Sequence, residues 1–363
     1  MSKTSSQPTR IKSSLKNDKI LRTLNGETTD SAPIWLMRQA GRYLSEYQDV
    51  RSNFKDFMSL CRSSDATTEL ALQPIRRFDL DAAIVFSDIL TITDSLDLGL
   101  SFVPGTGPVI SNPIKSPKDI AALPFDECLH KLGYVYKAVE SLREALGNRL
   151  PIIGFSGSPW TQACYMIEGH SQAHFHTAKA FAYTHPVAMS ELIHQLAIIS
   201  AEYLYEQYKA GADLLFVIDT WGCVLSDALF SMYSAEAFKI ICQHLVKRGV
   251  DAPVLFYSKS LTQNRVNMLL ECPLLKCIAV DWLADIAKLQ IDNSSITFQG
   301  NIDPVILKAG PAATQQHTFN LLNSLNVNQR YIASFGHGIL PETPTESVHS
   351  FIDTVRNYSN LID

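Results

Sequence analysis

The sequence predicts a single-domain (β/α)8 TIM barrel spanning residues 17–363, and three observations carry that reading. First, short apolar, β-branched runs recur eight times: APIWLM (32–37), AAIVFSD (82–88), PIIGFSG (151–157), ADLLFVID (212–219), PVLFYS (253–258), KCIAVDW (276–282), SITFQGN (295–301) and RYIASFGHG (330–338). Second, the segments between them have helical periodicity and stop in the expected way. Stretches 132–146, 190–209 and 226–248 end at Gly147, Gly211 and Gly249, and a strand-type run follows each glycine closely. Third, the runs are apolar throughout instead of alternating, as parallel strands covered on both faces are. A doubly wound open sheet is the alternative, but no Gly-x-Gly-x-x-Gly follows the first run to favour it.

The bulk properties narrow the function. With 363 residues, 46% hydrophobic and 18% charged, the chain has ample core for one large barrel. A net charge of -5 and a pI near 6.1 give no general basic field, so nucleic acid is not an expected partner and any anion binding must be local. The seven cysteines are odd in number, scattered and without a Cys-x-x-Cys pair, which fits a reduced, cytoplasmic chain with inert buried thiols. No run approaches the roughly 18 apolar residues of a membrane span. Residues 1–16 read as a disordered N-terminal extension; their Lys/Arg/Ser/Thr bias also carries a faint likeness to an organelle transit peptide.

In a barrel, functional side chains sit at the C-terminal ends of strands. Here the runs lead into Arg38 and Arg42, Ser87 and Asp88, Ser156, Asp219 and Thr220, Ser258 and Lys259, Asp281 and Trp282, Asn301 and Asp303, and His337. Some of these are turn residues, and Asp303 before Pro304 reads as a cap. The first motif, PIWLMRQAGRYLSEY (33–47), sets two arginines four apart in an otherwise apolar stretch, with Arg51 close by. Such forked donors match carboxylates bidentately. Pairing with an internal acid such as Asp88 is one reading; a polycarboxylate ligand explains the surplus of positive charge better.

Five motifs together carry a resemblance: PIWLMRQAGRYLSEY, LQPIRRFDLDAAIVFSDIL (72–90), GFSGSPWTQACYMIEG (154–169), FQGNIDP (298–304) and FGHGILPETP (335–344). In this order the chain, from about Asn17 onward, resembles the uroporphyrinogen decarboxylase family. The resemblance implies a (β/α)8 barrel acting as a homodimer without cofactor or metal. It implies a reaction that removes carbon dioxide from the four acetate side chains of uroporphyrinogen III, leaving methyl groups and giving coproporphyrinogen III for haem synthesis. By the same resemblance Arg38, Arg42 and Arg51 bind substrate carboxylates, and Asp88 sits at the centre of the cyclic tetrapyrrole. Tyr165, Thr220 and His337 hydrogen-bond or orient substrate, and Arg38 is the family's proposed general acid. A guanidinium with a pKa above ~12 is a poor proton donor, which leaves water or a substrate carboxyl as alternatives.

The sequence departs from the family pattern at Ser45, where Pro is usual, at Gln48 for Arg, Thr220 for Ser and Ser334 for Asn, and FYSKSL lacks the usual glycines after its lysine. Two rival readings have less support. A cobalamin-dependent methyltransferase of the same superfamily requires a zinc-binding His-x-Cys, whereas His337 is followed by Gly338 and Ile339. A non-catalytic tetrapyrrole carrier, which keeps the arginines but not turnover, is the second, and the presence of Asp88 speaks against it. His170, His174 and His176 include an i, i+4 pair but have no Glu or Cys at ligand spacing, and they read as a solvated helix start. PGTGP (104–108) lacks the Lys-Ser/Thr of a phosphate loop and reads as a tight loop near the mouth.

Overall fold

The structure is a computed structural model that describes residues 15–362, so the expected N-terminal extension lies outside the described residues except at its end. There the Lys16 N–H donates to the Asn148 carbonyl at 2.8 Å. The sheet strands are β1 (Ala83–Ile84), β2 (Leu100–Val103), β3 (Gly107–Ile110), β4 (Ile152–Gly157), β5 (Leu214–Asp219), β6 (Val254–Ser258), β7 (Leu275–Val280), β8 (Thr297–Ile302) and β9 (Tyr331–Phe335). Seven of them form one parallel sheet in the order β1-β4-β5-β6-β7-β8-β9, and β2 and β3 form a separate antiparallel hairpin. Seven of the eight predicted runs are thus sheet strands. The first run, 32–37, contributes a single parallel bridge between Ile34 and Ala333 of β9.

That run nevertheless occupies the eighth position. The Ala333 N–H donates to the Pro33 carbonyl on one side, and the Asp81 N–H donates to the Ile34 carbonyl on the other, both at 2.8 Å. The buried Asp81 carboxylate takes the Ile34 N–H at 2.6 Å, in place of a ladder bond. Arg356, at the end of the helix Thr345–Arg356, donates to the same carboxylate at 2.8 Å and neutralises it. The curled sheet is therefore closed by a carboxylate seam that no periodicity in the sequence announces.

Side chains alternate across each strand, and the register decides which residues face the interior. Trp35 meets Phe216 of β5 edge-on at 5.6 Å, and the Tyr257 hydroxyl of β6 donates to the Gly336 carbonyl at 3.0 Å. Both contacts join segments three positions apart around the sheet, so they cross its interior. Ile218 pairs with Tyr257 across β5 and β6, which puts 216, 218 and 220 in the inward phase and Asp219 in the outward one.

Asp219 is accordingly a packing element and not a mouth residue. It is 0% exposed and accepts hydrogen bonds from Ser158 Oγ at 2.6 Å, Thr161 Oγ1 at 2.9 Å and Ser234 Oγ at 2.5 Å. Ser158 and Thr161 open the helix Pro159–Glu168, where Ser158 is the N-cap, Pro159 occupies the first turn and Gly169 ends the helix at φ 84°. Ser234 belongs to a π-turn, Ser231–Ala235, that interrupts the predicted 226–248 helix between Asp227–Phe230 and Glu236–Lys247. Asp219→Ala, which leaves three buried hydroxyls without their acceptor, is expected to cost about 2–4 kcal/mol of stability. Urea unfolding checks this, and a loss below about 1 kcal/mol contradicts it.

Among the described residues no helix is long and apolar enough to cross a membrane. His174 and His176 stack at 5.4 Å on the exposed start of the helix His176–Thr184, and no group of three or more metal-ligating side chains occurs among the described residues. Asp303 caps the helix Pro304–Lys308 by accepting from the Val305 N–H at 2.9 Å, as its position before proline implied.

Candidate active site

The C-terminal ends of the strands open onto a cavity of about 690 Å³, within the range of small-molecule sites. Its floor and walls include residues in the inward phase, Ile84 of β1 and Phe86 just after it, Phe155 from β4 and Ile218 from β5, with Asp88 and Thr220 one step beyond. The hairpin loop 103–107 between β2 and β3 lines the same cavity, so PGTGP is a mouth loop as the sequence indicated. Phe102 of that hairpin packs on Phe57 at 4.7 Å, holding the hairpin over the opening.

Arg38, Arg42, Arg51, Asp88, Thr220 and His337 all line this one cavity, although 299 residues separate the first from the last. Tyr165 is not among the lining residues. It lies buried behind them, where its hydroxyl accepts a hydrogen bond from the Trp221 indole N–H at 3.1 Å. Burial raises its pKa above that of an ordinary tyrosine, with Asp88 among the charges acting the same way.

Arg38 sits in a turn with a left-handed φ of 59°, an uncommon conformation for a residue with a Cβ. Buried Gln39 secures that turn: its side chain accepts from the Leu36 N–H at 3.3 Å and donates to the Ala82 carbonyl at 3.2 Å. Gly338 makes room for the arginine, because a Cβ there would sit 2.4 Å from Arg38 Cδ. Arg42 is also exposed, and its carbonyl accepts from Gln48 Nε2 at 2.8 Å. The residue that departs from the family pattern at 48 therefore braces the arginine turn. Arg51 donates to the Phe54 carbonyl at 2.7 Å.

No carboxylate among the described residues comes within 4.0 Å of Arg38, Arg42 or Arg51, so the internal ion pair considered for Arg38 and Asp88 does not form. Asp88 is half-buried, and one of its oxygens accepts the Leu90 N–H at 2.8 Å. Its pKa is raised, chiefly by burial, against the opposing pull of the Leu90 bond and of Arg38. His337 packs edge-on against Tyr257 at 6.1 Å, and its pKa is lowered to about 3 by burial and then by the charges of Arg38 and Lys259. It is neutral at physiological pH and can donate or accept.

The His337 shift makes a pH prediction with a definite sign. The folded state holds the imidazole neutral while the unfolded chain binds a proton near its ordinary 6.5, so stability is lost as pH falls from about 6.5 toward about 3. In His337→Gln that component of acid destabilisation is expected to disappear. Unfolding free energies measured at several pH values check this, and identical pH slopes in variant and wild type contradict it.

Sequence reading missed the apolar lining, because Ile84, Phe86, Phe155 and Ile218 look like any other strand residues until register gives them a face. It also missed Trp221, and it named Lys259 only as one polar strand end among many. Their one signal was position, each lying just after a strand run.

The family model described as Uroporphyrinogen decarboxylase (URO-D) matches residues 15–358. The chain is 42% identical over 352 residues to a uroporphyrinogen decarboxylase of Pseudoalteromonas atlantica, covering 95% of this chain and 98% of that protein. It is 40% identical over 349 residues to the corresponding protein of an Enterobacter species, with 95% and 98% covered. It is 39% identical over 350 residues to that of Coxiella burnetii, with 95% and 96% covered. Among solved structures a methyltransferase from Methanosarcina mazei superposes with a TM-score of 0.79 at 15% identity, covering 96% of this chain and 100% of that one, a likeness of fold alone. Near-complete coverage at about two-fifths identity, on a barrel whose mouth gathers the motif arginines around Asp88, leaves one conclusion: this chain belongs to the uroporphyrinogen decarboxylase family.

Proposed function

We propose that this chain decarboxylates the four acetate side chains of uroporphyrinogen III to methyl groups, giving coproporphyrinogen III and four carbon dioxide molecules. The observation that carries the reading is the surplus of cations at the mouth. Arg38, Arg42 and Arg51 line one cavity and have no carboxylate of the described residues within 4.0 Å. A ligand rich in carboxylates answers those charges, and the fork geometry of arginine suits each of them.

The chemistry needs an electron sink, because loss of carbon dioxide leaves an electron pair on a methylene carbon. A substrate pyrrole supplies it: protonation of a ring carbon makes a cationic ring that accepts the pair as the C–C bond breaks. A second proton then adds to the exocyclic carbon and the ring proton leaves, for a net uptake of one proton per carbon dioxide. In this reading Asp88 serves that ring: one oxygen takes the Leu90 N–H, and the other, which accepts no hydrogen bond from the described residues, would take pyrrole N–H bonds. A fixed carboxylate opposite a developing cation is electrostatic stabilisation of the kind that usually supplies the largest rate term. Thr220 and neutral His337 are available to orient substrate, and Tyr165 supports the wall behind them. Arg38 is the family's general-acid position, and its pairing with substrate carboxylates suits it better to binding than to proton donation.

The same reading makes the working form a homodimer that needs neither cofactor nor metal, located in the cytoplasm. All seven cysteines are unpaired and six of them buried, which supports a reducing compartment. The experiment is to incubate metal-stripped protein with uroporphyrinogen III under anaerobic reducing conditions and follow product mass, with light scattering for the assembly. Stepwise loss of up to four carbon dioxide units supports the reading. Tight binding with unchanged mass would make the chain a carrier, and a requirement for added metal would reject the cofactor-free mechanism.

A further inference from the structure

Lys259 lies beside the cavity without lining it. It follows β6 one step past Ser258, in the phase that turns Tyr257 inward, and is half-buried. Its ammonium sits 4.2 Å from the centroid of the Trp221 ring, and no carboxylate among the described residues lies within 4.0 Å of it. A half-buried lysine without an ion-pair partner is costly to keep unless the charge has a use.

Trp221 is fixed on every other side. Its backbone N–H donates to Thr161 Oγ1 at 3.1 Å, its carbonyl accepts from the Trp160 indole at 3.0 Å, and its own indole N–H donates to the Tyr165 hydroxyl. Phe175 packs on the Trp221 ring at 4.7 Å and on Tyr165 at 5.4 Å. The charged and titratable groups facing Lys259 are Cys223, Asp281 and Arg38. Those acting on His337 are Arg38 and Lys259, and the Tyr257 ring meets it edge-on at 6.1 Å.

We propose that Lys259 is a positioning residue of the decarboxylation site: it clamps the Trp221 ring, which holds the Tyr165 hydroxyl, and places a second positive charge behind His337. A methionine of similar length would fill the space, but it would supply neither the cation–π attraction nor the charge. The inference rests on the functional reading above, yet half of it can be read without turnover.

Lys259→Met and Lys259→Arg test it against wild type. In the absence of any tetrapyrrole, NMR titration of the His337 imidazole in Lys259→Met is expected to give a midpoint clearly above the wild-type value, because one of the two cations facing it is gone. On uroporphyrinogen, kcat is expected to fall about tenfold with KM within about threefold, the fold-change that corresponds to a desolvated cation–π contact. Lys259→Arg keeps charge and stacking and is expected to restore both. Wild-type His337 titration and kcat in Lys259→Met, or an arginine variant no better than the methionine one, overturns the proposal. If Lys259→Met does not fold, Trp221→Phe takes its place. It keeps a ring under the ammonium but removes the N–H to Tyr165, so kcat should fall while the His337 midpoint stays; unchanged kcat overturns the clamp. Failure of the functional reading itself shows separately, as a wild-type protein that releases no carbon dioxide.

Discussion

Asp88→Ala is expected to lower turnover of uroporphyrinogen by at least about 10²–10³-fold while the fold persists. The size follows from the site: among the described residues no other carboxylate lines the cavity, so Asp88 is the group there to face a cationic pyrrole. The structural cost is small in comparison, since the side chain makes one hydrogen bond within the chain, from the Leu90 N–H at 2.8 Å. Asp88→Asn separates charge from shape, because its amide oxygen can keep the Leu90 bond; a comparable loss of rate assigns the effect to charge. Product mass against time, with circular dichroism to verify folding, decides the matter. A folded Asp88→Ala that turns over at more than about a tenth of the wild-type rate would remove Asp88 from the chemistry.

Arg38→Met is expected to weaken uroporphyrinogen binding by about 10–100-fold, the worth of a charge-assisted carboxylate contact of about 1.5–3 kcal/mol. Because no carboxylate among the described residues lies within 4.0 Å of Arg38 to be stranded, stability should change little. Gly338→Ala is the sharper companion. It leaves every charge in place, yet its new Cβ would lie 2.4 Å from Cδ and 2.7 Å from Cγ of Arg38, so the arginine must move. If binding depends on where that guanidinium is held, the alanine variant loses affinity in the same direction as Arg38→Met. A Gly338→Ala protein with wild-type KM would show that the position of Arg38 is unimportant and sink this account of the mouth.

Much of the site was legible because its chemistry uses residue types that strand interiors do not otherwise contain. Two arginines four apart in an apolar run, an aspartate ending a strand and a histidine after another stand out against Val, Ile, Leu and Phe. The five motifs then ordered them into one family. The illegible part has a common cause, which is alternation. Asp219 ends β5 and Thr220 follows it directly, but successive side chains leave opposite faces of a strand. One enters a hydroxyl-lined pocket under the helices and the other enters the cavity, and only the register with β6 says which. The same ambiguity hid the apolar floor and the position of Tyr165 behind Trp221.

By itself the sequence determined the class of fold, since eight non-alternating apolar runs separated by helical segments can bury their faces economically only as a parallel sheet wrapped in helices. Its unanswered arginine charge also pointed to a ligand rich in carboxylates, the reading proposed above. The tertiary structure alone decided how the sheet closes, with Asp81 and Arg356 replacing a strand ladder beside Ile34. It alone decided which polar strand ends share a cavity and which are packing, because those assignments depend on register and on contacts between residues hundreds of positions apart, and neither is encoded in any local pattern.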